Sequence, residues 1–211
     1  MKCNENIVII GKNIILVPYK KHHVEKYHKW MSSPELLEKT ASEPLTLEAE
    51  YNMQKSWWLD DDKCTFIILN KNFYENGPND AGKKEINTMI GDVNLYLNNV
   101  DDRQEAEVEL MIAEVGMRRK GFGKEAAKMM MYYGNKMLGL NKYLVKIGSN
   151  NKSSINLFMK LGFKLASYSE VFKESTYILY CENKAFKDSV YNEVESYAMF
   201  GQYDTLDSCV E

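Results

Sequence analysis

The sequence predicts an α+β domain organised around one largely antiparallel sheet, and three observations carry that expectation. Strand-like segments come as a meander, then a single strand, then a pair, with helix-period segments before and between them. Apolar residues make up 45% of the 211 positions, enough for one domain with a full core. No apolar stretch is long enough to cross a bilayer as a helix, so a membrane partner is not expected.

Taken in order, the apolar runs Ile7–Ile10 and Ile14–Val17 flank Gly11-Lys12-Asn13 and form either a short hairpin or one broken strand, closed by Pro18. That interruption denies the N-terminus the continuous apolar core of a signal peptide. Val24, Tyr27, His28 and Met31 share one helical face, which predicts a helix over 22–32. Ser32-Ser33-Pro34 breaks the chain, and Thr46 is placed to cap a second helix running to Trp58. Cys64–Asn70 is a buried strand by composition, while 71–87, rich in Asn, Gly, Lys and Asp, reads as a solvent loop. Met89–Leu97 and Glu105–Ala113 are strands either side of a polar turn at Asp101-Asp102. A helix over Lys124–Leu138 turns Ala127, Met130, Met131, Gly134 and Met137 inward, and Gly139 stops it. Tyr143–Ile147 is a strand, Ser153–Leu161 a helix ended at Gly162, and Phe163–Cys181 two strands about a turn.

Charge is divided unevenly. Residues 182–211 hold Glu182, Asp188, Glu193, Glu195, Asp204, Asp207 and Glu211 against Lys184 and Lys187, so a net of −3 for the chain leaves the body mildly basic. No basic stripe suited to nucleic acid is present. Cys3, Cys64, Cys181 and Cys209 lie far apart without a CxxC pair, and His22, His23 and His28 cluster away from all of them, so no metal is expected. Scattered single cysteines without an export signal point to a reducing compartment, the cytoplasm with the nucleus as the other option.

Between a strand and a helix stands Arg118-Arg119-Lys120-Gly121-Phe122-Gly123-Lys124. Two glycines one residue apart let backbone approach an anion, and the helix behind them directs unpaired amides and its positive dipole end at the same point. Phosphate or pyrophosphate binding is the chemistry implied. Gly116 and Gly121 have the spacing of a Walker loop, but Phe122 stands where its lysine belongs. Gly121-x-Gly123-x-x-Ala126 resembles a dinucleotide fingerprint, yet that motif follows directly on a parallel strand. R-x-x-G-x-G, matched from Arg118 to Gly123, is the pyrophosphate loop of acetyl-CoA-dependent acetyltransferases.

A second motif decides among them. Asn151-Lys152-Ser153-Ser154 opens a helix that closes on Lys160-Leu161-Gly162-Phe163. Alone this reads as ordinary helix capping. With the loop and one crossing strand before it, the pattern resembles the acetyl-CoA half of the GNAT superfamily over roughly residues 10–181. GDVNL (Gly91–Leu95) and the two-helix segment before it resemble the branch that acetylates ribosomal-protein N-termini; TASEPLTLEAEYNMQ (Thr40–Gln54), DKCTFI (Asp62–Ile67), VELMIAE and KIGSNNKSS are closer still to the eukaryotic N-acetyltransferase 9 subfamily.

The resemblance implies the GNAT (acyl-CoA N-acyltransferase) fold, with helices flanking a sheet splayed at the cofactor site. It implies an N-acetyltransferase domain over 1–181, followed by an acidic tail over 182–211. In that tail Phe186, Val190, Val194 and Tyr197 suit a short amphipathic helix, and a loose segment fits equally well. Acetyl-CoA is the implied co-substrate. The acceptor is a primary amine of a protein, at an N-terminus or a lysine; a small-molecule amine, or a domain that binds without turnover, are the alternatives.

Loop residues Arg118, Arg119, Lys120, Gly121, Phe122, Gly123 and Lys124 would hold the pyrophosphate. Backbone at Ile112 and Ala113 would pair with the pantetheine arm, and Asn151 would reach its end. A glycine is usual at position 119; Arg119 is expected in ordinary backbone, adding charge. Glu107 and Glu109, two apart on a strand and so on one face, are the candidate bases, with a bulge expected to aim one inward. Phe158 takes the place of a proton-donating tyrosine beside the cofactor; the branch that acetylates ribosomal-protein N-termini, which the chain resembles, can use a serine near the start of the same helix, and Ser154 fits as the candidate acid. Glu43, Pro44 and Tyr51 are candidates for lining the amine groove, with Trp57 and Trp58 as packing.

Overall fold

The structure, a computed structural model, describes residues 2–78, 83–97 and 99–206. Strands β1 (Ile7–Ile10) and β2 (Ile14–Pro18) form a hairpin, followed by α1 (Val24–Trp30), α2 (Pro34–Lys39) and α3 (Leu47–Leu59). Strand β3 (Lys63–Asn70) leads through α4 (Lys71–Asn76) and α5 (Lys84–Thr88) to β4 (Met89–Tyr96) and β5 (Glu105–Ile112). Helix α6 (Phe122–Leu138), β6 (Lys142–Gly148), α7 (Lys152–Lys160), β7 (Lys164–Ser169) and β8 (Glu174–Tyr180) complete the core order. Beyond them, α8 (Lys184–Phe186) runs through a π turn into α9 (Asn192–Glu195), and β9 (Met199–Gln202) ends the sheet.

The sheet order is β7-β8-β6-β5-β4-β3-β2-β1-β9. Each neighbouring pair is antiparallel except β5–β6, which is parallel. Strands β2 and β3 are covered on both sides, which is why their sequences are near-continuous apolar runs. One side packs Ile9, Leu16, Phe66, Val93 and Val108 against Met130, Tyr133 and the rest of α6. The other packs Val8, Ile15, Val17, Ile67 and Leu69 under α1 and α3 through Tyr19, Tyr27 and Trp57.

Several expectations need correction. Pro34 does not merely break the chain; it occupies the first turn of α2, where its missing N–H costs nothing and its fixed φ suits the helix. The stretch after β3 is not all solvent loop, because Asn70 caps α4 by accepting from Phe73 N at 3.0 Å and Tyr74 is buried. Met137 is not part of the inward stripe of α6; it is exposed near the helix end, while Tyr132 and Tyr133 are buried. The cap at Thr46 is present, its hydroxyl accepting from Ala49 N at 3.2 Å.

The segment after Cys181 is folded onto the domain as far as Leu206. Phe186, Val190 and Val194 are buried against α6, with Phe186 stacked on Tyr143 at 6.0 Å between ring centroids. Lys128 and Lys136 of α6 pair with Glu193 (2.6 Å) and Glu195 (3.2 Å), so part of the acidic charge answers a basic helix face. Asp207, Cys209 and Glu211 lie outside the described residues. This packing makes Phe186→Ala expensive: urea unfolding is expected to show a loss of ~3–5 kcal/mol, as for other buried phenylalanines. A loose tail would give no change.

Candidate active site

Everything at the site is arranged about the place where β5 and β6 part. Their parallel pairing is confined to Glu105↔Lys142, Ala106↔Tyr143 and Glu107↔Leu144. Strand β4 follows β5 onward to Ile112, and β8 follows β6 onward to Gly148, so the sheet opens into two arms. The facing backbone edges beyond Glu107 and Leu144 have no strand between them, which is the geometry an extended amide-bearing chain needs. The bulge expected on β5 lies across the ladder on β4 instead: partners jump from Ile68↔Gly91 to Leu69↔Met89. Ile90 O is thereby turned to accept from both Ala113 N (2.9 Å) and Glu114 N (3.2 Å). Gly91 permits the close approach, since a Cβ there would lie 1.9 Å from Met111 O.

The loop before α6 departs from expectation at its first two residues. Arg118 turns away from the helix end: its Nε donates to Ile112 O (2.9 Å), and its guanidinium also meets Ala113 O (3.3 Å) and Glu35 (2.7 Å). Two carbonyls at the strand end proposed for the pantetheine arm are therefore held by Arg118. Arg119 is not in ordinary backbone; its φ is 61°, in the left-handed region that favours glycine. Gly121 follows at φ 91°, with nothing within 4 Å of where a Cβ would stand. Left-handed residues alternating with extended or helical ones turn successive amides toward one point, an anion nest. Arg119, Lys120 and Lys124 are exposed around it, and Phe122 and Gly123 are half-buried in the first turn of α6. A Cβ on Gly123 would face Leu110, Ile112 and Leu157, the walls between β5 and α7. Glu125, the acid of that turn, is held off by Asn13, which donates to it twice at 2.8–2.9 Å.

Across the opening, Asn151 caps α7 by accepting from Ser154 N at 3.2 Å, and Ser154 is half-buried in the first turn. Phe158 is buried edge-to-face against Phe163 at 5.2 Å, as a core residue. Helix α2 bridges the two arms: Glu35 pairs with Arg118 after β5, and Glu38 accepts from Asn150 before α7 at 3.3 Å.

On the opposite face of the sheet, Glu107 and Glu109 point toward the three N-terminal helices together with Asp92, Asn94, Tyr96, Thr65 and Lys63. Glu107 pairs with Lys146 at 2.6 Å. Glu109 still meets solvent, but crowding by the strands around it raises its carboxyl above the ordinary range, with Lys63 and the Tyr96 hydroxyl opposing that rise. Asp92 is buried and pushed up to about 6 by loss of hydration; Asn94 (2.7 Å) and Tyr27 (3.5 Å) donate to one oxygen, and the other has no partner among the described residues. Of the candidate groove residues, Glu43 and Pro44 lie exposed between α2 and α3, and Tyr51 meets Glu25 at 3.5 Å between α1 and α3. Sequence reasoning missed Lys63, Tyr96 and Asp92. The signal was the alternation Asp92, Asn94, Tyr96 around Val93 and Leu95: in a strand covered on both faces, alternating polar residues require a buried polar layer.

His22, His23 and Glu85 are the described group that comes nearest to a metal site. Lys20 N donates to His23 Nδ1 at 3.1 Å, which puts the proton of the neutral ring on Nε2, aimed at Glu85 2.8 Å away. That leaves the His23 ring without a free lone pair for an ion. Burial alone would raise Glu85, but hydrogen bonds from both histidines hold it near about 2. Tyr203 donates to the same carboxylate at 3.0 Å, tying the last described turn to α5.

The family described as acetyltransferase (GNAT) domain matches residues 13–164. The chain is 54% identical over 176 residues to the N-acetyltransferase 9-like protein of Nematostella vectensis, covering 83% of this chain and 87% of that relative. It is 49% identical over 177 residues to the alpha/beta-tubulin-N-acetyltransferase 9 of Homo sapiens, covering 83% and 84%. Among solved structures it shares its fold with a spermidine N-acetyltransferase from Vibrio cholerae in complex with CoA and spermine. That pair has a TM-score of 0.67 and 16% identity over 83% of this chain and 99% of that one.

Asp92 makes stability depend on pH in a defined direction. Its folded-state value is raised to about 6 from 3.8, so its contribution is fully present below the unfolded value and lost as pH rises through the folded one. At pH 8 the buried carboxylate is charged and costly. Asp92→Asn keeps an acceptor for Asn94 and Tyr27, and thermal melts are expected to show it more stable than the parent by ~1–3 kcal/mol at pH 8. The gain should shrink as pH falls through the folded value and vanish only below the unfolded one, 3.8; a gain that does not change with pH would remove the electrostatic explanation.

Proposed function

We propose a complete reaction for this chain, which belongs to the acetyltransferase (GNAT) family and is an N-acetyltransferase: acetyl passes from acetyl-CoA to a primary amine of a protein. The observation that carries this reading is the parted β5–β6 edge, with an anion nest at one end and Glu109 on the far face. The nest suits a pyrophosphate, and the parted edge suits the amide-bearing arm that follows it. Three relatives, from Mus musculus, Homo sapiens and Drosophila melanogaster, are named for alpha/beta-tubulin, which supports a protein amine as the acceptor and tubulin as the first one to test.

The thioester supplies an acetyl carbon open to attack by a neutral amine. Glu109 removes the proton from the incoming ammonium, directly or through a water; its raised carboxyl is matched to that task. Glu107, committed to Lys146, holds the end of the paired segment. As the new N–C bond forms and the C–S bond breaks, the Ser154 hydroxyl, in the positive field at the start of α7, donates to the departing thiolate. Phe158, with no proton to give, packs the base of α7. Cys3, Cys64 and Cys181 are free thiols, which supports a reducing, cytoplasmic setting for the reaction.

The test is product detection by mass on α- and β-tubulin N-terminal peptides, internal-lysine peptides and spermidine. An N-terminally acetylated peptide is expected; product on spermidine alone, or acetyl-CoA binding with no product anywhere, overturns the reading. Glu109→Gln is expected to lower kcat by ~10²–10⁴-fold, with Glu107→Gln the milder of the two. Ser154→Ala is expected to lower turnover by ~10- to 100-fold without weakening acetyl-CoA binding, since thiolate can also be protonated by solvent. A parent-like rate would leave Ser154 as a helix-cap residue.

A further inference from the structure

Lys63 is the most costly side chain on the acceptor face. It stands at the start of β3, 2% exposed, and burial lowers its ammonium to about 8. Its Nζ lies 3.3 Å from the Trp57 ring centroid and 3.8 Å from that of Tyr96, and donates to the Tyr96 hydroxyl at 2.5 Å. Two aromatic faces and one oxygen replace the water it gave up. The strand register fixes this arrangement. Lys63 is the cross-strand partner of Tyr96, Tyr96 that of Glu107, and Asn94 that of Glu109. Tyr96 and Glu109 are therefore diagonal neighbours on one face, within reach of a long side chain. The tyrosine has one proton to give; with the lysine donating to its oxygen, that proton is left for another acceptor, and the Glu109 carboxyl is its diagonal neighbour across the ladder.

We propose that Lys63 is a positioning residue for catalysis: by donating to Tyr96 it aims the tyrosine hydroxyl at Glu109, and its charge keeps that carboxyl able to accept a proton. The proposal rests on the reading of Glu109 as the base. The other groups facing Glu109 are Asp92 and Tyr96 on β4, Glu107 on β5 and Lys146 on β6. Asp92 and Glu107 oppose its ionisation, and Lys146 is engaged with Glu107. Lys63 is thus the larger of the two cationic influences that offset crowding there, Lys146 adding the smaller, and its ammonium is held over the Trp57 and Tyr96 rings. The aromatic covering also explains why the position tolerates a charge at all.

The experiment follows Glu109 directly. Side-chain carboxyl ¹³C signals of the full chain are titrated by NMR, the Glu109 signal being assigned by its loss in Glu109→Gln. In Lys63→Met the Glu109 midpoint is expected to rise by about one pH unit, the size of effect a neighbouring charge has on a carboxyl. The acidic limb of kcat/KM for the acetylated peptide should rise by the same amount, with KM for acetyl-CoA unchanged and activity recovering at high pH. Tyr96→Phe, which keeps the charge and removes the hydroxyl, should shift the midpoint in the same direction by less. An unmoved Glu109 midpoint with activity lowered equally at every pH would make Lys63 a packing residue and overturn the proposal. Should Lys63→Met not fold, Tyr96→Phe decides alone: an unmoved midpoint overturns. The titration needs no turnover, so an enzyme silent on every acceptor counts against the proposed function and not against this assignment.

Discussion

Three residue pairs hold the site open. Parallel pairing between β5 and β6 stops at Glu107↔Leu144, while β5 stays paired with β4 from Glu107 to Ile112 and β6 with β8 from Lys142 to Gly148. The two half-sheets are joined only at Glu105–Glu107, and the start of α6 lies at the opening beside Leu110, Ile112 and Leu157 of α7. The Ile90 bulge completes the arrangement, because a regular β4 would have no carbonyl to receive both Ala113 and Glu114 and turn the chain toward the loop. The loop's position, the start of α6 and the bridging of both arms by α2 all depend on that parting.

The two faces of the sheet solve different problems. Beneath α6 the contacts are almost wholly apolar, and the charges of that helix are used outward, toward Glu193 and Glu195. Toward α1–α3, the strands that flank the opening carry Lys63, Thr65, Asp92, Asn94, Tyr96 and Glu109, connected chiefly to one another. Burying Lys63, Thr65, Asp92 and Asn94 costs stability that an apolar layer would not, and Asp92 keeps one oxygen without a partner among the described residues. Such a cost is tolerated where amine chemistry needs a carboxyl less acidic than solvent would make it.

What the sequence disclosed was whatever depends on neighbours along the chain. Strand runs such as Cys64–Asn70, the Thr46 cap and the glycine loop were legible because a strand, a cap or a nest is written in a handful of consecutive residues. Short α4 was hidden because only Phe73 and Tyr74 interrupt a polar stretch, and Asn70 looked like the end of a strand before it looked like a cap. Arg119 was misjudged because nothing in its own chemistry asks for a positive φ; the loop's path imposes it. Glu107 and Glu109 were inseparable by spacing, since the Lys146 partner of one and the Tyr96–Lys63 neighbours of the other arrive from three different strands. Long-range register, which no short window contains, distinguishes them.

Strand β9 adds a constraint in time. It pairs with β1 from Ile7↔Gln202 to Ile10↔Met199, so the strand made before every other described strand waits for the one made after them all. At ribosomal speeds of roughly 5–20 residues per second, the edge of β1 stays uncovered for ~10–40 s. During that interval the nascent sheet presents a row of unpaired amides and carbonyls carried by an Ile-Val-Ile-Ile run, the kind of edge on which neighbouring chains pair. The hairpin with β2 cannot protect it, since β2 occupies the other side. Safe synthesis of this protein therefore depends on something outside the chain holding that edge, or on β1 staying unformed until its partner emerges.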